Sequence, residues 1–458
     1  MAFDKLIMFL IERRINRMVK QLSKADQAYV KKQIEKLNPK TLALAEKYYV
    51  YTGLLHAAEN SPFYQKILPP LIEGMNFNNA RSFVEKFPFT TSAQVTENSK
   101  QFLAIPMSDV ASVHFTYGST GKKKTLYNSV RDMRTIDYSY TLGFLLCGID
   151  ESDVAQIVYS FGVWALAENI QRTTLKMKII TLPTGNYTNF KEQQEFIEKF
   201  NVTTIFGTPS YVYNLARELN LPQKNKDQMK AIMVGGEGLP EHRRKIIEER
   251  LGGEVFINYG FNEIGGGLGS ECKEHNGYHL FPTAYVEIID PKTGKNVKKG
   301  EWGELVVTTL RREAMPLIRY RTRDITRIID EPCPCGLKLP RLDYLRGRSD
   351  DRIIIGAAEK YYPIDFDLQF DKIKEVKDYW IEVFTENDKD TMKVHVLADK
   401  PSEELKQKII DTLYSMDSIK IDIETTQTVN VPEIIFIEKL PTGAKRRRLV
   451  DKRKLVKK

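Results

Sequence analysis

Residues 176–219 read "KMKIITLPTGNYTNFKEQQEFIEKFNVTTIFGTPSYVYNLAREL", and the order of their runs decides the architecture. Two short β-rich runs, "KMKIITLP" and "VTTIFGTPS", are each followed by a stretch with helical spacing, "NFKEQQEFIEKFN" and "YVYNLAREL". The rhythm extends in both directions. "DVAQIVYSFGV" (153–163) comes before it, and "MKAIMVGGEGL" (229–239) after it is followed by "PEHRRKIIEERLG" (240–252). Strands alternating with helices predict an α/β fold with a mostly parallel sheet and crossover helices. Ligands of such sheets sit at the carboxyl ends of the strands. Gly-Thr-Pro-Ser (207–210), Gly-Gly-Glu (235–237) and Tyr-Gly-Phe-Asn-Glu (259–263) fall there.

Working outward, residues 1–85 carry apolar residues at helical spacing among many Lys and Glu, and are expected to be an N-terminal helical region. From about 283 to 346 the pattern turns to alternating strands, "AYVEIID", "GELVVTTL" and "ITRIID", expected as a small antiparallel β subdomain of a core spanning 86–346. Residues 347–458 read as a smaller α+β C-terminal domain.

With 458 residues, 42% of them hydrophobic, the chain is long enough for a large core and for two or three domains. No apolar run reaches membrane-spanning length, and "LIMFLI" (6–11) meets Glu12-Arg13-Arg14 at once, so a cytoplasmic protein is expected. The net charge of +9 is concentrated at one end. "KRRRLVDKRKLVKK" (445–458) holds nine Lys/Arg against one Asp, which leaves the rest nearly neutral. A duplex-binding face across the body is therefore not supported, and the tail reads first as a solvated helical end, with contact to polyphosphate, RNA or an anionic membrane as the other reading. Four cysteines in so long a chain rule out a disulfide framework.

"FTYGSTGKKKTLYNS" (115–129) combines glycines, hydroxyls and lysines in the manner of an anion-holding loop. Its two glycines are too close for a Walker-type loop, and the chain has neither a Gly-x-Ser-x-Gly elbow nor a strand-linked dinucleotide fingerprint. "TYGSTGKKK" resembles the phosphate loop of adenylate-forming enzymes. "VGGEGL" and "NYGFNE" resemble their adenine-side segments, "YRTRD" their ribose motif, and "RGRSDDRIIIG" their hinge, in the same order. "FPFTTSAQV" (87–95), "TPSY" (208–211) and "LPTGAKRRRLVDKR" (440–453) are similar to the phenylacetate-coenzyme A ligase branch.

The resemblance implies an AMP-forming ligase: ATP activates an aryl or fatty acid to an acyl-adenylate, pyrophosphate leaves, and coenzyme A takes the acyl group. It implies that Thr116, Gly118, Ser119, Thr120, Gly121 and Lys122 cradle the triphosphate, with Lys123 and Lys124 adding charge on the pyrophosphate side. Gly236, Glu237, Asn258, Tyr259 and Gly260 would form the base pocket. Asp324 would accept the ribose hydroxyls, with Arg348 beside it, and Glu263 would hold magnesium. Lys445 would neutralise the reacting centre, carried by a C-terminal domain that turns about Asp350, with Arg446 the competing register. Tyr159, Phe161 and Trp164 lie where relatives place acyl-facing residues.

Cys272, His279, Cys333 and Cys335 make a four-ligand set suited to structural zinc, with His275 competing with His279. Transfer to a carrier protein or an amine, and a non-catalytic protein docking by its basic tail, are the competing readings. The identity of the acid stays open, and a homodimer is among the assemblies left open.

Overall fold

The computed structural model describes residues 39–453 except 118–122, 163, 350–352, 357–358 and 440–447. The helices expected within residues 1–38 lie outside the described residues. The chain forms two compact units. The first comprises residues up to 239, 244–322 and 326–344; the second comprises 240–243, 323–325 and 345 onward.

In the first unit, helix α1 (Pro39–Asn60) buries Tyr48, Tyr49, Val50, Leu54 and Ala57. These join Phe87, Phe102, Leu126, Leu317, Ile318 and Tyr320 in one core, each large side chain contributing about 1.5–3 kcal/mol by leaving water. Strands β1 (Val110–Tyr117) and β2 (Lys123–Ser129) pair antiparallel, with Thr116 opposite Lys124 and Tyr117 opposite Lys123. Residues 118–122 stand between them in the sequence. Ser129 then starts helix α2 (Val130–Leu146): its hydroxyl accepts from the Asp132 amide at 3.1 Å, while Asp132 accepts from the Ser129 amide at 3.0 Å.

The predicted α/β rhythm follows. β3 (Val154–Ile157), α3 (Ala165–Lys176), β4 (Ile180–Leu182), α4 (Phe190–Phe200), β5 (Thr204–Gly207), α5 (Pro209–Glu218), β6 (Ala231–Gly235), α6 (Glu241–Leu251) and β7 (Glu254–Phe261) alternate. β4, β3, β5, β6 and β7 are parallel neighbours in that order, so their carboxyl ends share one edge. The sheet then changes direction through β8 (Gly266–Ser270) and β9 (Tyr278–Leu280), both antiparallel.

β10 (Ala284–Ile289), β11 (Gly303–Thr309) and β12 (Tyr320–Thr326) belong to a separate small sheet. β13 (Ile328–Ile329) and β14 (Arg341–Leu342) do not stay with it. They extend the large sheet instead, β14 pairing with β9 so that Arg341 faces His279. Two-residue strands bury too little to form a layer alone, and they add to an edge already present.

The second unit opens with β15 (Gly347–Arg348), which pairs Arg348 with Asp324. Then come the β16 (Ile353–Ile355) and β17 (Glu359–Tyr361) hairpin, helix α7 (Pro363–Phe370), and strands β18 (Val376–Glu386) and β19 (Lys389–Ala398). Helices α8 (Glu403–Tyr414) and α9 (Asp417–Glu424) precede β20 (Glu433–Phe436) and β21 (Leu449–Asp451), in sheet order β20-β19-β18-β21. Phe366, Phe370, Tyr379, Ile381, Val394 and Ile409 form its core. The described part of the tail is not the expected helical end. Leu449–Asp451 is a strand paired parallel with β18, and Arg453 is ion-paired with Asp390 at 2.8 Å. Among the described residues of the tail, Leu449 is buried against the sheet, whereas Arg448 and Arg453 are held by facing carboxylates. Among the described residues no helix is long and apolar enough to cross a membrane.

Candidate nucleotide and acyl site

The shared carboxyl edge of the parallel strands brings four segments together. Gly235 ends β6, and a Cβ there would lie 2.8 Å from the Asn258 carbonyl on neighbouring β7, so only glycine fits. Gly236 follows with φ +88°, the left-handed region that glycine enters without strain, and a Cβ there would meet nothing within 4 Å. The turn sends Glu237 toward the start of α5, where its Oε2 accepts from the Ser210 amide at 3.1 Å. Thr208 caps that helix, accepting from the Tyr211 amide at 3.4 Å. The Tyr159 hydroxyl, just past β3, donates to the Gly235 carbonyl at 3.2 Å.

Asn258 is partly buried and its Nδ2 lacks a hydrogen-bond partner among the described residues. Tyr259 is buried, its ring stacked on Tyr278 at 5.7 Å between centroids. Gly260 lies against β8 so tightly that a Cβ would fall 2.1 Å from the Gly266 carbonyl oxygen. Of the expected acyl-side residues, Tyr159 is buried, Phe161 is partly buried, and Trp164 is 37% exposed.

Glu263 holds a position that sequence reasoning did not foresee. Lys124 Nζ lies 2.5 Å from its Oε1, and the Tyr320 hydroxyl donates to the same oxygen at 2.9 Å. Lys124 also donates to Ser92 Oγ at 2.8 Å and to the Tyr320 hydroxyl at 3.0 Å. Burial alone would raise the Glu263 carboxyl; the Lys124 charge and these hydrogen bonds outweigh it and hold the group below its ordinary range. Lys124 is therefore held by Glu263, Ser92 and Tyr320. It is 2% exposed because it shares a strand face with Leu126 and Asn128, whereas Lys123 points to solvent. That alternation was the missed signal, along with Ser92 in "FPFTTSAQV" and Tyr320 in "YRTRD".

In the second unit Asp324 and Arg348 meet as cross-strand partners. Gly118, Ser119, Thr120, Gly121, Lys122, Asp350 and Lys445 lie outside the described residues.

The cysteines converge as expected. The ligand atoms of Cys272, His279, Cys333 and Cys335 all lie within 4.8 Å of one another. Cys272 and Cys333 sulfurs are 3.7 Å apart, and Cys335 Sγ is 3.4 Å from His279 Nε2. A tetrahedral zinc with ordinary bond lengths sets two sulfurs about 3.8 Å apart and a sulfur and nitrogen about 3.6 Å apart, so the donor set has the right edge lengths. His275 is not in it. Its Nε2 faces Glu254 at 2.8 Å, and its Nδ1 faces Arg244 at 2.8 Å and Glu271 at 3.4 Å.

The AMP-binding enzyme family matches residues 24–310. The phenylacetate-coenzyme A ligase of Aromatoleum evansii is 30% identical over 434 residues, 92% of this chain and 96% of that protein. The Thermus thermophilus protein of the same name is 28% identical, covering 86% of this chain and 93% of its own. Among solved structures, a 2-hydroxyisobutyryl-CoA ligase in the postadenylation state superposes with a TM-score of 0.75 at 20% identity, covering 89% of this chain and 88% of that one. A family match over more than half the chain, and a near-full-length relative with the same motifs, place this protein in the AMP-binding enzyme family, on the branch of AMP-forming acid–CoA ligases that holds phenylacetate-coenzyme A ligase.

Proposed function

We propose that the protein converts a carboxylic acid, aryl or fatty, to its acyl-adenylate with ATP, and then to the thioester with coenzyme A. The observation that carries this reading is the meeting of Tyr159, Thr208, Gly236–Glu237 and Asn258–Tyr259 on one carboxyl edge, within the unit that also holds the Lys124–Glu263–Tyr320 cluster. Phosphates belong to the loop 118–122 with Thr116 beside it, the base to the segments around Gly236 and Tyr259, and the ribose hydroxyls to Asp324 near Arg348. Lys445 supplies positive charge where charge develops on the α-phosphate and carboxylate oxygens.

Magnesium suits Glu263. A carboxylate has about four acceptor sites, and both side-chain donors use Oε1, so capacity for a hard cation remains. When bound, such a cation neutralises phosphate charge. Lys124 and Tyr320 hold the carboxylate ionised and fixed in direction. Zinc fits the Cys272/His279/Cys333/Cys335 set, where it would staple the end of β8, β9 and the loop before β14 without taking part in chemistry. Purified protein is expected to carry about one equivalent of zinc per chain. Cys333→Ser is expected to lose it and to lower Tm by on the order of 5 °C, read by metal analysis and thermal melting.

The basic-tail alternative loses support, because Arg448 and Arg453 are engaged by Asp367 and Asp390 rather than presented to a partner. A cytoplasmic location is part of the proposal. ATP–pyrophosphate exchange across a panel of aryl and fatty acids tests the reading: at least one acid should raise exchange tenfold or more over its absence, by an order-of-magnitude criterion for activation. No acid-dependent exchange with any of them overturns it. Competition between coenzyme A, a carrier protein and an amine for the preformed adenylate then identifies the acceptor.

A further inference from the structure

Within the first unit, β7, β8 and β9 place two tyrosines on one face of the sheet with only a glycine between them. Tyr259 on β7 is opposite Gly269 on β8, Gly269 is opposite Leu280 on β9, and Tyr278 stands two positions before Leu280 on the same face. Strands two apart lie roughly 9–10 Å from each other. The Tyr259 and Tyr278 rings nevertheless stack at 5.7 Å between centroids, with planes 30° apart. They meet because Gly269 contributes no side chain. A Cβ there would lie 3.2 Å from the Tyr278 Cβ and 2.8 Å from the His279 carbonyl oxygen. Tyr278 is held edge-on in turn by Tyr344, 5.3 Å away at 85°. The Tyr344 hydroxyl donates to Glu271 Oε1 and lies 2.9 Å from the His275 carbonyl oxygen. Glu271 is fully buried; it accepts from the two terminal nitrogens of Arg244 at 2.7 and 3.1 Å and from the Ile257 amide at 2.6 Å.

Packing alone does not require this row. Aliphatic side chains fill a layer as well, and a buried ion pair such as Arg244–Glu271 is a weak source of stability. What the row supplies is orientation, since stacked and perpendicular aromatic partners each favour a narrow range of geometries and the plane of one ring is set by the next. The last ring is Tyr259, near the carboxyl end of β7, the edge where ligands of a parallel sheet bind. We infer that Tyr278, braced by Tyr344, is the positioning residue for Tyr259 and sets the plane of the ring against which the adenine base packs. The inference rests on the base-pocket reading above.

The test uses the full chain and two readouts: calorimetric binding of ATP with magnesium, which needs no acid, and ATP–pyrophosphate exchange with the acid giving the fastest exchange in the panel. Tyr278→Leu removes the ring and Tyr278→Phe keeps it; each is made in the parent chain and with Tyr259→Leu. Tyr278→Leu is expected to weaken ATP binding, and to raise the KM for ATP, by roughly five- to tenfold, the scale of one lost aromatic contact. The kcat and the KM for pyrophosphate should stay within about twofold of the parent, because an interaction made equally in ground and transition states appears in KM alone. Tyr278→Phe should stay within about twofold of the parent throughout. In the Tyr259→Leu background, Tyr278→Leu should add less than about twofold, because the two rings act as one unit. Tyr278→Met, which keeps bulk without a ring, decides the matter if Tyr278→Leu melts below assay temperature. Unchanged ATP affinity, a parallel rise in the KM for pyrophosphate, a loss in Tyr278→Phe as large as in Tyr278→Leu, or an equal loss in the Tyr259→Leu background overturns the inference. If Tyr259→Leu itself leaves ATP binding untouched, the base-pocket reading fails first; if it weakens binding and Tyr278→Leu does not, only the brace fails.

Discussion

Lys445→Ala is expected to slow acid-dependent ATP–pyrophosphate exchange by roughly two to four powers of ten, the cost of removing one charged donor aimed at charge that develops in the transition state. The loss should appear in kcat more than in the KM for ATP, because an interaction made chiefly in the transition state contributes little to ground-state binding. Thioester formation from a supplied adenylate should change little, since the α-phosphate bond is already made. Arg446→Ala separates the two possible registers: if the neighbouring arginine held the role, its loss would produce the larger effect. Quenched-flow measurement of pyrophosphate release, with and without preformed adenylate, checks both statements. A fall of less than tenfold for Lys445→Ala would remove this lysine from the chemistry.

The second large effect is expected at the Lys124–Glu263 pair. Lys124→Met strips the cationic partner from a mostly buried carboxylate, and breaking such a pair costs roughly 3–5 kcal/mol. The pH dependence should reverse in sign. In the parent, the Glu263 carboxyl is held below its ordinary value of 4.5, so its stabilising contribution is complete above that value and is lost as pH falls through the lower folded one. In Lys124→Met, burial acts unopposed by the lysine and raises the carboxyl. The penalty is then present at neutral pH and is relieved as the group takes up a proton on acidification. The difference in unfolding free energy between parent and variant should therefore narrow between pH 7 and pH 4, as measured by urea denaturation at a series of pH values. Lys124→Met/Glu263→Gln should recover most of the stability but not exchange activity, because the amide cannot replace the charged ligand for a hard cation. A gap that stays constant with pH would show that Glu263 is not ionised in the folded parent.

Much of the architecture could be read from residue order. The strand–helix alternation from 153 to 252 carries a period change at each boundary, and periodicity is a local property that needs no knowledge of neighbours. The glycines of "VGGEGL" and "NYGFNE" mark close backbone approaches, and the structure accounts for them by contacts of 2.8 Å at Gly235 and 2.1 Å at Gly260. The four residues of the Cys/His cluster were identifiable because their residue types are rare and chemically distinctive.

What the chain order could not show is which partner a charged side chain would find. Lys122, Lys123 and Lys124 look alike in sequence, yet strand alternation turns Lys124 inward and the β12 strand brings Tyr320 to it across 196 positions. His275 and His279 were equivalent by spacing. The β8–β9 pairing aims one at the cysteines, while Glu254, Glu271 and Arg244 hold the other. The tail read as solvated charge until Asp367 and Asp390 were seen opposite Arg448 and Arg453. Spacing determined that this chain is an α/β protein, and the resemblance of its ordered motifs to adenylate-forming enzymes implied a nucleotide edge. Tertiary structure decided which ionic groups pair, because a charge's role depends on the distance and burial of groups far from it along the chain, 196 positions for Lys124 and Tyr320 and 81 for Arg448 and Asp367, which no local pattern encodes.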